Sequence, residues 1–465
     1  MIEPLQHLPH PASGTAELAQ RFTDLAPALT ARQALIESQR CLYCYDAPCT
    51  RACPTEIPIA SFISNLAHDN INGAAHSILS HNILGASCAR VCPTEILCEQ
   101  ACVRNHDAEQ QAVRIGLLQR FALDHMNFPS HPFQRAASTG KRIAVVGAGP
   151  AGLACAHRLA VLGHDVVIFE AEAKSGGLNE YGIAKYKLPG DSAQQEVAFL
   201  LEVGGIEVRH GQVLGQNLSL AQLHQDYDAV FLGLGLAASR QLGLSGEQAP
   251  GLMAATDYIA ALRQAEDLGS MPVAARCIVI GAGNTAIDMA VQMQKLGAQD
   301  VNIVYRRGLE QMSATLHEQD IARAHQVRLH EWAQPQQVLL DDAGRVCGMR
   351  FERTAMLDGK LSGTGQTFEM AADAIFKAVG QVFSNADPLV QQAQQGSDKI
   401  NIDARFRTQL PGVYAGGDCV AAGVDLTVHA VQHGKLAAQA IHEDIMQQNM
   451  QQNMQQSMQE GAHHG

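Results

Sequence analysis

The sequence predicts an α/β protein preceded by a separate helical domain, and three observations carry that reading. A strand running into a glycine-rich turn and a helix occurs at KRIAVVGAGPAG and again about 135 residues later at ARCIVIGAGNTAIDMAVQMQ. Each unit is followed by a further strand, HDVVIFE and DVNIVYRR, which is the βαβ rhythm of a doubly wound sheet. Residues 1 to about 140 instead hold short helix-periodic stretches, such as Ile59–Leu66 and Gly116–His125, broken by Cys-Pro loops.

The chain of 465 residues exceeds what one core usually supports. The expected division is a helical domain over 1–140, a first dinucleotide domain over 141–265 completed by 379–445, and a second over 266–378. The stretch Pro411–Ile441, with its strand GVYAGGD, suits a return of the chain to the first domain. A Gln/Met-rich tail over 446–465 lacks a core-forming face and is expected to be disordered.

Composition narrows the function. Hydrophobic residues make up 46% and charged residues 17%, which suits a folded protein rather than a disordered chain. The 33 basic and 46 acidic side chains give a net charge of −13 with no compensating basic stripe, which argues against nucleic acid as a partner. The N-terminus lacks the basic start and apolar run of a signal peptide, and no segment holds 18 consecutive apolar residues. The expectation is a cytoplasmic protein with no membrane contact.

Eight of the twelve cysteines lie between Cys41 and Cys102. In a reducing compartment such clustering points to metal rather than disulfides. The first run is Cys41-x2-Cys44-x4-Cys49-x3-Cys53-Pro54, and the second is Cys88-x3-Cys92-Pro93-x4-Cys98-x3-Cys102. Short loops let several thiolates converge on one cubane, and zinc sites usually read as paired C-x2-C units, a form only Cys41/Cys44 has. Two [4Fe–4S] clusters are therefore expected. In two-cluster ferredoxins the cysteine before proline serves the other cluster, so Cys53 leaves the set of Cys41, Cys44 and Cys49, and by the same logic Cys102 crosses back. The residues alone make Cys88 the eighth ligand.

The first fingerprint is Gly147-x-Gly149-Pro150-Ala151-Gly152, with Glu170 at the end of the next strand. Its glycines allow a pyrophosphate to approach the backbone at a helix N-terminus, and Glu170 can accept ribose hydroxyls. Ser175-Gly176-Gly177 just beyond could wrap the phosphates, and Leu178 after it joins the cofactor-binding set. Gly417-Asp418 ends a later strand with a carboxylate suited to a ribityl hydroxyl, and Thr427 opens a helix whose positive end could face a reduced flavin. This site is read as FAD-binding. The second fingerprint, Gly281-x-Gly283-Asn284-Thr285-Ala286, is read as the NAD(P) site. Arg306 and Arg307 follow its second strand where an acidic residue would favour NAD, so residue chemistry leans to a 2′-phosphate. With only lone cysteines in both nucleotide domains, a thiol-reducing activity is disfavoured.

These motifs, together with YGI, IVYRRG, VGQ and YAGGDC, resemble the N-terminal half of dihydropyrimidine dehydrogenase and the small subunit of glutamate synthase, over about residues 30–445. Cys92-Pro93-x4-Cys98 looks like the former. That resemblance implies one cluster on Cys41, Cys44, Cys49 and Cys102. It implies another on Cys53, Cys92, Cys98 and Gln119, the last in the setting Gly116-x-x-Gln119, with Cys88 left as a spare thiol against the residue-based reading. It further implies a nicotinamide-site segment at Gly380-Gln381, and NAD(H), against the arginine pair. The chain stops where dihydropyrimidine dehydrogenase continues into an FMN-containing TIM barrel. The expected role is thus the electron-input subunit of a two-subunit, NAD-dependent enzyme that reduces uracil or thymine. Electrons would pass from NAD(P)H through FAD and both clusters to the FMN subunit in a hetero-oligomer, with the protein positioning cofactors and no side chain acting as acid or base. The rivals are an electron-supplying subunit for glutamate synthesis and a non-catalytic redox-sensing flavoprotein.

Overall fold

A computed structural model describes residues 2–108, 110–236 and 238–462. The chain divides into two compact units. One comprises Ala28–Asn179, Asp191–Ala237 and Phe383–Gly465; the other comprises Met1–Pro27, Glu180–Gly190 and Ala238–Val382.

The first of these is built on a parallel five-stranded sheet in the order Val413–Ala415, Ala229–Leu232, Arg142–Val146, Asp165–Phe169, Ile206–Arg209. Its central strands are apolar on both faces because helices cover both. The helix Pro150–Val161 leaves the glycine turn, and the long helix Thr427–Ala462 lies along it. Gly434 sets their separation, since a Cβ there would collide with the Ala151 carbonyl. Short helices at Ala31–Gln39, Pro48–Ala52, Ile59–Ala67, Ile71–Leu79, Gly85–Val91 and Ile115–Asp124 form the cysteine-rich part. The first is opened by a Thr30/Gln33 capping box. Phe62, Ile63, Ile78 and Leu118 share one apolar core with Leu153, Ala154 and Cys155, so the cysteine-rich helices and the first dinucleotide fold are packed as one body.

The other unit carries a second parallel sheet, ordered Leu252–Ala254, Ala374–Ala378, Arg276–Gly281, Asp300–Val304, Arg328–His330. Beside it is an antiparallel sheet of Ala333–Leu340, Val346–Leu357 and Lys360–Ala371, which the sequence reading did not separate out.

The division differs from expectation at the N-terminus, at Glu180–Gly190, which falls in the second unit rather than in the first dinucleotide domain, at both ends of the second domain and in the tail. Residues up to Pro27 belong with the second nucleotide fold, because Leu5, Leu8, Leu18 and Phe22 bury in the core that holds Tyr258, Met289 and Leu296. That unit also starts at Ala238 and ends at Val382, where Ala238–Ser239 and Gln381–Val382 pair antiparallel. The tail is helical to Ala462 rather than disordered: Gln and Met are sound helix formers, and residues 446–460 hold no Pro or Gly. Residues 463–465 lie outside the described residues.

Candidate functional site: two dinucleotide sites and a thiol cluster

The first fingerprint forms a cradle free of side chains. Gly147 has φ +100° and donates its N–H to Phe169 O at 2.8 Å. A Cβ on Gly152 would collide with the Gly147 carbonyl, so the helix starts against the turn itself. Gly177 would place a Cβ 2.7 Å from Gly149 Cα, which brings the second glycine loop onto the first, with Gly176 N–H bonded to Ala148 O at 2.8 Å. Glu170 is buried; its carboxylate accepts from Ala148 N–H at 2.6 Å and Glu172 N–H at 2.8 Å, and burial pushes its pKa up. Gly417 lies against Ala151, and Asp418 beside it is pushed up to about 6 by burial and by Asp425. Thr427 Oγ1 donates to Asn179 Oδ1 at 3.3 Å, tying the opening of the long helix to the residue after Leu178. Pro150 and Ala151 form the first turn of the fingerprint helix. An open glycine floor flanked by two carboxylates and two helix N-termini fits FAD.

At the second fingerprint Gly281 ends its strand with a Cβ position blocked by Ala378 O, and Gly283 caps the helix Asn284–Leu296. Thr285 and Ala286 follow in its first turn, Ala286 fully buried. Asn284 Oδ1 is buried with no hydrogen-bond partner among the described residues. A buried acceptor left unmet at a helix N-terminus calls for a ligand, and NAD(P) fits. Arg306 is exposed and Arg307 half-buried, and neither guanidinium has an ion-pair partner among the described residues. Gly380, at φ +96°, accepts from Arg240 N–H at 3.1 Å, and Gln381 opens the short strand after it.

Cys41, Cys44, Cys49 and Cys102 line one pocket, with Ile59, Ile63, Val113 and Ile115 as its apolar wall. Three come from the first run and one from the end of the second. Cys49 is pushed up to about 11 by burial, with Cys102 and Cys41 adding to it. A second group surrounds Cys92, which hydrogen-bonds Cys88 and lies in the field of Cys98 and Cys53; these contacts and burial hold its thiol protonated. Cys98 is raised by burial first, then by Glu99 and Cys53. Iron reverses such shifts, because bound cations deprotonate thiols outright. Gln119 is buried and donates Nε2–H to Gly85 O at 2.8 Å. Among the described residues no group of three or more His, Cys, Asp or Glu is arranged to hold a single metal ion.

Sequence reasoning missed Glu196. Fully buried on Ser192–Leu201, it accepts from Ala86 N–H at 2.7 Å and Ser87 N–H at 3.2 Å and shares a short hydrogen bond with Ser87 Oγ. It thereby fastens the Cys88 helix to the flavin fold. No local motif signals a carboxylate 109 residues from its partner.

The two glycine cradles and the thiol groups define an oxidoreductase that combines a flavin, a pyridine nucleotide and iron–sulfur chemistry. Residues 18–129 match the family model for dihydropyrimidine dehydrogenase domain II, 4Fe–4S cluster, and residues 141–434 match that for pyridine nucleotide-disulphide oxidoreductase. The chain is 34% identical over 425 residues to the NAD-dependent dihydropyrimidine dehydrogenase subunit PreT homolog of Salmonella typhi. It is 36% identical over 425 residues to the PreT subunit of Escherichia coli O157:H7; each match covers 91% of this chain and 97% of the relative. Among solved structures, FprA of Mycobacterium tuberculosis in complex with NADPH matches with a TM-score of 0.56 at 19% identity, over 67% of this chain and 86% of that one. Thioredoxin reductase of T. acidophilum matches at 0.51 and 21% identity, over 66% and 99%. Both show a shared fold. The chain belongs to the PreT family of NAD-dependent dihydropyrimidine dehydrogenase subunits, and its cofactors are FAD, [4Fe–4S] and NAD(P). No helix among the described residues is long and apolar enough to cross a membrane.

Proposed function

We propose that this chain is the electron-input subunit of an NAD-dependent dihydropyrimidine dehydrogenase, working in the cytoplasm with an FMN-containing TIM-barrel subunit that reduces uracil or thymine. The observation that supports it best is the meeting of Cys41, Cys44 and Cys49 with the distant Cys102 around one pocket, in the same body as the first glycine cradle.

In this reading Cys41, Cys44, Cys49 and Cys102 hold one cluster, and Cys53, Cys92, Cys98 and Gln119 hold the other. The Gln119 amide nitrogen is committed to Gly85, which leaves its oxygen as the ligand atom. Gly147, Gly149, Gly152 and Gly177 keep the backbone open to the flavin pyrophosphate, Glu170 holds the ribose, and Asp418 and Thr427 hold the ribityl and ring end. Asn284 and Gly283 receive the nicotinamide nucleotide's pyrophosphate, Arg306 and Arg307 its adenosine end, and Gly380-Gln381 frames the nicotinamide. FAD held there would supply two-electron chemistry towards the nicotinamide nucleotide and one-electron chemistry towards clusters held by the thiols. The protein's own contribution is orientation, since no side chain at the cradles need move a proton.

The test is anaerobic purification with iron, sulfide and flavin analysis, followed by NADH or NADPH with and without the FMN subunit and uracil. Flavin with about eight irons is expected for two [4Fe–4S] clusters, with uracil consumed only when the partner is present. Flavin without iron would overturn the relay. A C88A variant that keeps both clusters, beside Q119L that alters one cluster's magnetic spectrum, is the outcome expected for the ligand set.

A further inference from the structure

Lys435 lies two turns into the helix that Thr427 opens, the helix whose N-terminus faces the flavin cradle. Its backbone has no freedom to retreat, because the preceding Gly434 is pressed against the Ala151 carbonyl and Cys155 N. From this fixed origin the half-buried side chain crosses to the cysteine-rich helices. Nζ donates to Thr55 O at 3.1 Å and to His81 O at 3.1 Å. Thr55 is fully buried, follows Cys53-Pro54, and has its hydroxyl 3.4 Å from Cys53 Sγ. His81 lies in the loop between Ile71–Leu79 and the Cys88 helix. One ammonium therefore ties together two loops that flank the second thiol group. Burial lowers the Lys435 pKa from its ordinary value, Glu56 and then Cys53 in its field favour the charged form, and Arg158 opposes it.

Burial makes this a costly place for a lysine unless its charge is used. Two backbone carbonyls satisfy two of its three donors but carry no net charge to neutralise it. A cluster held by Cys53 would supply that charge, and the half-buried setting would screen the attraction only partly.

We propose that Lys435 is a positioning residue for electron transfer: it clamps the Cys53 loop to the flavin helix and keeps one positive charge beside the second cluster, raising that cluster's reduction potential. When the reduced flavin gives up one electron, the cluster gains it and becomes more negative by one charge. The ammonium stabilises that reduced state over the oxidised one. The inference rests on the reading of Cys53 as a cluster ligand, and goes beyond it by assigning a determinant of electron flow outside the ligand set.

The experiment uses the purified holoprotein with K435M, K435R and E56Q variants. Iron, sulfide and flavin are quantified first, and the midpoint potential of each cluster is then read by redox titration followed by electron paramagnetic resonance. K435M is expected to lower one cluster's potential and leave the other in place, weakening its one-electron equilibrium with the flavin about tenfold, which for one electron is about 59 mV. K435R keeps the charge and is expected to stay near wild type. E56Q removes a competing anion and is expected to shift the same cluster upward by a smaller amount. Should K435M fail to keep its iron, K435Q, whose amide can still donate to Thr55 O and His81 O while carrying no charge, decides: a lowered potential at one cluster supports the proposal and unchanged potentials overturn it. Potentials indifferent to residue 435 in iron-replete protein also overturn it. A wild-type protein with fewer than two clusters overturns the ligand reading beneath it, which the iron analysis distinguishes.

Discussion

The two strand–turn–helix units solve the same geometric problem with different tolerances. At the third fingerprint position of the first, Gly152 sits so close to the turn that a methyl would strike the Gly147 carbonyl. At the same position of the second, the methyl of Ala286 is present and fully buried. The treatment of buried carboxylates differs too. In the unit with the cysteines, Glu170 and Glu196 are held by backbone N–H groups and a hydroxyl. In the other unit Lys187 pairs with Asp288 at 2.7 Å and Glu318 at 2.6 Å, and Lys377 pairs with Glu247 at 2.8 Å. Glu170 and Glu196 thus depend on close backbone approach, whereas Lys187 and Lys377 tie their carboxylates by charge, and the sensitivities of these positions to mutation and pH should diverge accordingly.

The largest divergence is expected at the fingerprints. G152A forces a backbone collision in a packed site, which costs about 3 kcal/mol, or roughly a hundredfold in flavin affinity; the protein should purify almost colourless at 450 nm apart from its iron. The mirror change A286G removes a methyl and adds backbone freedom at a cost of about 1 kcal/mol, with flavin retained. Equal flavin loss in both variants would show that the two turns are not distinct in this way.

What the sequence disclosed follows the same division between local and distant. Both fingerprints lie within a dozen consecutive residues, so spacing alone located Gly147–Gly152 and Gly281–Ala286. The partition of the thiols was harder, because Cys102 lies far along the chain from Cys41, and its place beside Cys41, Cys44 and Cys49 came from the cysteine–proline rule and a family resemblance. Contacts that no pattern announces stayed hidden. Leu5 and Phe22 look like ordinary residues of an N-terminal helical region until they bury in the second nucleotide fold, and Glu196 looks like one more polar residue of an amphipathic helix.

Glu196 sharpens the second contrast. Burial pushes its carboxyl from 4.5 up to about 7, against the hydrogen bonds from Ser87 and Ala86 that favour the ionised form. Between those values the unfolded chain is ionised while the folded chain keeps its proton, so the folded state binds more protons and stability falls as pH rises. The contribution is full below pH 4.5 and lost by about pH 7, amounting to about 3 kcal/mol. Amide exchange of the helix Gly85–Val91, read against that of Asn284–Leu296, should speed up across this window. In E196Q the slope should vanish. A slope that persists in E196Q assigns the titration to another group.

The smallest expected effect concerns the nucleotide itself. The relatives are named NAD-dependent, yet Arg306 and Arg307 stand at the end of the second strand, where the flavin fold has the acidic Glu170. A carboxylate at that position accepts ribose hydroxyls and repels a 2′-phosphate; guanidinium groups do the reverse. Arg306 is exposed, so solvent screens its pull, and Arg307 is only half-buried, which limits the discrimination the pair can provide. The R306A/R307A double variant is expected to lose about tenfold in kcat/KM for NADPH, equivalent to about 1.4 kcal/mol, while NADH changes by less than about twofold. Equal losses for both nucleotides would place the arginines on the shared pyrophosphate instead. No loss for either nucleotide would leave nucleotide choice to contacts other than this strand end.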